Sequence, residues 1–147
     1  CTPYLIIDNE MMTALCLAAK NGVDVRIMTP GTPDKKLVFL LTQSYYRQLL
    51  ENGVKIYEYQ PGFLHAKTFV CDDEIAVVGT INLDYRSLYL HFEDGVWIYG
   101  NDVIWSMKED FVQTLEDCHT VPLEFCKNRK IPVRIMQNVL RAFAPML

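Results

Sequence analysis

The sequence predicts an α/β domain: a mixed β-sheet flanked by helices. Three observations predict it. Short runs with strand-like alternation trade places with longer stretches of helical periodicity, in the order strand, helix, strand, helix, strand. Both early helical stretches stop at an Asn-Gly pair, Asn21-Gly22 and Asn52-Gly53. Further on, Asp72-Asp73 separates two strand-like runs, as a hairpin turn would. With 147 residues, 50% of them hydrophobic and 22% charged, the chain fits one domain with a proper core.

Each element has its own justification. Tyr4 to Ile7 reads as a strand, and Asp8-Asn9-Glu10 opens a helix with a cap and early negative charge. Met11, Met12, Leu15, Cys16, Ala18 and Ala19 supply its apolar side. Val23 to Met28 alternates as a strand ended by Pro30-Gly31. A second helix is expected over Lys35 to Glu51, then a strand over Val54 to Tyr59. Gln60-Pro61-Gly62 turns the chain into a strand that carries His65 and Lys67. Asp72-Asp73 then leads back through Glu74 to Thr80. Gly95 to Tyr99 is a further strand and Asp102 to His119 a further helix, with Val103, Ile104, Met107, Phe111 and Leu115 apolar. Pro132 begins a last helix through Phe143, proline being well placed in a first turn. There is no internal repeat and no second domain.

The charge is uneven. The net is −4, yet residues 1–124 hold nine Lys and Arg against all eighteen acids, and residues 125–147 hold five basic residues and no acid. The main body lacks the basic footprint of a nucleic-acid binder. The last helix sets Arg134, Gln137, Asn138 and Arg141 on one side and Ile131, Ile135, Val139, Leu140 and Phe143 largely on the other. Such a helix suits an anionic leaflet, but packing of its apolar side on the domain is the simpler expectation. No apolar run approaches the roughly 18 residues that cross a bilayer. No signal-peptide pattern opens the chain. Its start at Cys1, already close to strand, reads as a segment of a longer protein. Cys1, Cys16, Cys71, Cys118 and Cys126 are scattered without a C-x-x-C pair, which fits a reducing compartment. Cys118 and Cys126 flank His119, but zinc ligands usually come in closely spaced pairs, so no metal is assigned. Cys16 and Cys71 read as buried small hydrophobes.

The stretch that carries chemistry is Phe63-Leu64-His65-Ala66-Lys67-Thr68-Phe69-Val70-Cys71-Asp72, followed by Gly79-Thr80-Ile81-Asn82. In a strand, His65 and Lys67 face the same way, about 7 Å apart. An imidazole beside a fixed cation suits a phosphate substrate. Gly79 lets the backbone come close to a ligand, Thr80 offers a hydroxyl and Asn82 an amide. Glu93 is placed to hydrogen-bond the far nitrogen of an imidazole and fix its tautomer. A lone histidine in a strand is usually structural; it is the company of these groups that points to a site.

His65-x-Lys67-x4-Asp72-x6-Gly79-Thr80-x-Asn82 resembles the H-K-D motif of the phospholipase D superfamily. Asn82-Leu83-Asp84-Tyr85-Arg86-Ser87, Phe92-Glu93 and the upstream Tyr57 to Leu64 resemble the bacterial cardiolipin synthase branch, and the similarity runs from Thr2 to Leu147. The resemblance implies a phospholipase D-like fold that forms one half of a pseudo-twofold pair. It implies two facing motifs, one histidine attacking phosphorus to form a phosphohistidine and the other protonating the leaving alcohol. No cofactor and no metal are implied, because lysine and asparagine hold the phosphoryl oxygens. His65 is then nucleophile or general acid. Lys67 and Asn82 hold phosphate, Thr80 (where serine is commoner) adds a hydroxyl, Glu93 orients His65, and Asp72 braces the motif.

Only one H-x-K-x4-D occurs, so the chain supplies half a site. Its expected partners are a second H-K-D half in the same parent chain or a second copy, phosphatidylglycerol as substrate and a membrane surface, with no nucleic acid. The resemblance places the enzyme at a bacterial cell membrane with the catalytic domain on the cytoplasmic side. The rival expectations are a phosphodiesterase acting on another lipid or on nucleic acid, and a non-catalytic interaction module.

Overall fold

The computed structural model describes residues 1–146. Helix α1 spans Asn9–Lys20 and α2 spans Lys36–Glu51. The Asp8 carboxylate caps α1 by accepting the Met11 N–H at 2.8 Å. Gly22 and Gly53 follow the two helices at φ +93° and +92°, in the left-handed region where a side chain is strained. The Asn-Gly stops therefore act as the sequence predicts.

Strands β1 (Leu5–Ile6), β2 (Arg26–Pro30) and β3 (Lys55–Tyr59) belong to this first half. Strands β4 (Thr68–Cys71), β5 (Ile75–Gly79), β6 (Leu83–Asp84), β7 (Gly95–Tyr99) and β8 (Cys118–Thr120) follow. β2 and β3 pair parallel, as a helical crossover dictates, and β8 adds antiparallel to β3. β1 pairs parallel with β6, while β4, β5 and β7 form an antiparallel ladder. The first residues stitch the ladders together. Thr2 N–H reaches the Met28 carbonyl at 3.0 Å, and Thr68 N–H reaches the Cys1 carbonyl at 3.3 Å. Helices and mixed pairing together make the α/β arrangement that the sequence predicts.

The core lies where α1 and α2 cover β1, β2 and β3. Leu5, Met12, Leu41, Tyr46, Leu49 and Ile56 are all buried there. Each such side chain contributes about 1.5–3 kcal/mol of hydrophobic stabilisation. The Tyr46 hydroxyl shares a hydrogen bond with Thr29 Oγ1 at 2.7 Å, so the core leaves that polar group paired.

The structure departs from the sequence reading in several places. β2 starts at Arg26 rather than Val23, because the Val23 N–H is spent on the Ala18 carbonyl in the turn leaving α1. Helix α3 covers only Val103–Thr114. One tighter turn follows at Leu115–Asp117, and Cys118–Thr120 then becomes β8, where His119 pairs with Glu58. The free antiparallel edge of β3 wins over helix continuation. The short helix α4 (Leu123–Lys127) and strand β6 carry too few residues to show a period. Cys16 is buried, but Cys71 is exposed at the end of β4.

The last helix, α5 (Ile131–Ala142), departs most. Of its apolar side only Leu140 packs against the core, while Ile131, Ile135, Val139 and Phe143 stay exposed. Gln137 is buried, its side-chain amide donating to the Leu40 carbonyl at 3.2 Å, whereas Ile131 is 70% and Ile135 59% exposed. Among the described residues, no helix is long and apolar enough to cross a membrane.

Candidate active site

The segment Phe63 to Lys67 runs into β4 without strand pairing of its own, so His65 and Lys67 precede the strand instead of sitting in it. The alternation argument for a shared side fails there, and a direct contact replaces it. Lys67 Nζ donates to the His65 carbonyl at 2.7 Å, which ties the ammonium to the histidine's own backbone. The Lys67 carbonyl accepts from Gly79 N–H at 3.3 Å, fixing this lead-in against β5. The His65 ring stands exposed at the surface, its centroid 5.5 Å from that of Phe63.

Partial burial lowers the Lys67 pKa below the ordinary lysine value, and the carboxylates of Glu93 and Asp84 pull it back up. The ammonium thus sits in a partly desolvated place with two acids near enough to sustain its charge. Two of its three N–H groups remain for an anionic ligand.

Around this cation the structure gathers Thr80, Asn82, Ser87 and Glu93. The Thr80 hydroxyl donates to Glu93 Oε2 in a short hydrogen bond. Thr80 Oγ1 also accepts the Asp94 N–H at 3.0 Å. In this arrangement the hydroxyl positions the Glu93 carboxylate. The Thr80 and Ser87 hydroxyls, in that order, hold the Glu93 pKa below the ordinary carboxylate range.

Glu93 is not joined to His65 by a hydrogen bond among the described residues. Its other oxygen lies 4.0 Å from His91 Nδ1. In this structure Glu93 accepts from Thr80 and sustains the charge of Lys67.

Asn82 Nδ2 donates to Ser87 Oγ at 3.1 Å, and Asn82 Oδ1 is buried with no partner. The amide keeps a second N–H for a ligand. Asn82 is held from two sides. The next N–H, that of Leu83, donates to Thr2 Oγ1 at 3.0 Å, and Ser87 N–H donates to Asp84 Oδ1 at 2.7 Å. The chain then makes a single π turn over Arg86–Leu90, closed by His91 N–H on the Arg86 carbonyl at 2.7 Å. Such turns often occur at functional sites.

Two expectations change in meaning. Gly79 admits a neighbouring strand, not a ligand: a Cβ there would lie 2.1 Å from the Asp94 carbonyl oxygen. Asp72 sits in the hairpin turn at the far end of β4, at φ +51° with Asp73 at +58°. Four strand residues separate that turn from the Lys67 end, roughly 13 Å, so Asp72 does not join the cluster. The sequence does not single out Ser87 as a site residue. Ser87 stands in the Asn82-to-Ser87 stretch, but nothing in that spacing marks its hydroxyl as the link between Asn82 and Glu93.

The exposed His65 imidazole, the partly desolvated Lys67 ammonium and the Asn82 amide bonded to Ser87 stand in a phospholipase D-like domain. The chain belongs to the family whose model, described as "Cardiolipin synthase, PLD-like domain", matches residues 1–115. It is 47% identical over 146 residues to a cardiolipin synthase of Clostridium perfringens (strain SM101 / Type A), covering 99% of this chain and 31% of that protein. The chain spans about a third of the length of the curated relatives it matches. Phosphatidylserine synthase of Haemophilus influenzae Rd KW20 has a similar fold, with TM-score 0.74 and 18% identity over 99% of this chain and 38% of its own. Nuc of Salmonella typhimurium, a phospholipase D family member, matches with TM-score 0.68 and 19% identity, over 82% of this chain and 78% of its own. At such identities the likeness is one of fold.

Proposed function

We propose that the protein carrying this chain transfers a phosphatidyl group through a phosphohistidine, converting two phosphatidylglycerol molecules to cardiolipin and glycerol. The observation that carries this reading is the Lys67 ammonium, bonded to the backbone of the exposed His65 and close enough to Glu93 and Asp84 for their charges to sustain its own. It supplies positive charge where phosphoryl oxygens would gather beside a nucleophile. Membership in the cardiolipin synthase family supports the lipid substrate.

In the proposed reaction an imidazole lone pair forms a bond to phosphorus, and the bond from phosphorus to the glycerol oxygen breaks. That oxygen takes a proton from a second imidazole. The hydroxyl of a second phosphatidylglycerol then attacks phosphorus and returns its proton to the second imidazole, and the phosphorus–nitrogen bond breaks. His65 supplies one of the two imidazoles. Lys67 and the second N–H of Asn82 hold the phosphoryl oxygens, while Thr80, Ser87 and Glu93 keep both in place.

The other imidazole comes from a second H-K-D half. Support for a covering half is the face of the antiparallel ladder where Trp97 and Tyr99 of β7 are 67% and 66% exposed. The relatives' greater length leaves room for that half in the same parent chain.

The test is turnover of phosphatidylglycerol by the full-length protein. His65→Ala is expected to abolish cardiolipin formation with the fold intact. Unchanged turnover in that variant would remove His65 from the chemistry.

A further inference from the structure

A well-formed cavity lies away from His65. It is a cleft of about 360 Å³ between α2, α4 and α5, in the size range of small-ligand sites. Its lining holds Arg47, Arg129, Arg134 and Arg141 against a single acid, Glu51. Among the described residues only Arg47 has a carboxylate partner, Glu51 at 2.9 Å. Arg129 donates to Gln43 and lies over the Phe125 ring at 4.2 Å, and Arg141 lies over the Tyr45 ring at 4.4 Å. Aromatic faces thus hold two guanidinium planes fixed. Gln43 and Gln137, both buried, form part of the lining.

Like charges converging on one cleft repel unless an anion joins them. This cleft is the basic exception in a chain whose first 124 residues carry nine basic against eighteen acidic groups. Fixed, forked donors of this kind match the oxygens of a phosphate ester. The cleft mouth also adjoins apolar surface. Arg134 and Asn138 line the cleft on α5, and beside them on the same helix Ile131, Ile135 and Val139 are 70%, 59% and 49% exposed. A phosphate site beside an uncovered apolar stripe suits an amphiphile better than a free phosphate.

We propose that this cleft is a second lipid site, which binds the phosphate of an anionic phospholipid while the α5 stripe meets its acyl chains. The site is distinct from the reacting phosphate at His65, and its occupancy does not depend on turnover.

The experiment follows hydrogen exchange by mass spectrometry in the full-length protein in an uncharged detergent. The probes are dihexanoyl phosphatidylglycerol, dihexanoyl phosphatidylcholine and glycerol 3-phosphate. Phosphatidylglycerol is expected to slow exchange over residues 123–142 equally in the wild type and in His65→Ala, which separates this site from the reaction proposed above. Arg134→Gln, at an exposed residue, and Arg129→Gln are each expected to raise the half-saturating concentration about tenfold, the loss of one charge-assisted hydrogen bond. Phosphatidylcholine is expected to protect the segment less. Absence of protection by phosphatidylglycerol, or an unchanged midpoint in both arginine variants, would overturn the proposal. Equal affinity for glycerol 3-phosphate would overturn the lipid assignment. So would protection of the α5 stripe before any lipid is added, because another part of the protein would then already cover it.

Discussion

Lys67 is more than a charge two positions from a histidine. Its ammonium is tied to the His65 carbonyl, and burial favours its neutral form while Glu93 and Asp84 oppose that. The protonated form is the one that binds phosphate. Because its pKa lies below the ordinary 10.5, that form is lost earlier as pH rises. The alkaline limb of kcat/KM is therefore expected below 10.5; a limb at or above that value would separate it from Lys67. Ser87 acts through others. It is 7% exposed and takes the Asn82 amide while its hydroxyl helps to hold Glu93. Ser87→Ala should lower kcat about tenfold, the worth of one hydrogen bond of about 1.4 kcal/mol, and leave KM nearly unchanged. An unchanged kcat would make the hydroxyl structural only.

At the scale of elements, the site depends on how closely β5 and β7 approach. Gly79 pairs with Gly95, and backbone atoms fill the space that a side chain would need. Gly79→Ala should cost about 3 kcal/mol, read as a lowered denaturant midpoint, since the clash is with backbone. An unaltered midpoint would mean that the two strands separate at little cost. Thr2 makes the corresponding link on the other side. It is fully buried, and its hydroxyl oxygen accepts the Leu83 N–H just after Asn82. Thr2→Val would strand that N–H and cost about 1–3 kcal/mol. A valine variant as stable as the parent would show that Leu83 finds another acceptor.

At the scale of the molecule, one imidazole and one ammonium make half of the proposed reaction. The 147-residue chain alone is therefore expected to show no cardiolipin formation from phosphatidylglycerol; turnover by the monomer would end the half-site reading. The full-length protein is expected to keep its activity in EDTA. Loss restored by a divalent ion would transfer the electrostatic work from Lys67 and Asn82 to a metal.

Legibility followed the range of the interactions. The Asn-Gly stops, the Asp8 cap and the Asp72-Asp73 turn were readable because each depends on a few adjacent residues and on φ alone. The spacing of His65, Lys67 and Asn82 in one chain segment was equally plain, and it pointed to the family. Tertiary structure alone decided that Lys67 reaches back to the His65 carbonyl, that Glu93 accepts from Thr80, and that Ser87 joins the network. It also decided that α5 buries Gln137, lines the cleft with Arg134 and Arg141 and leaves its isoleucines exposed. Periodicity shows that a helix has two sides, but which side is covered depends on what the rest of the chain brings against it.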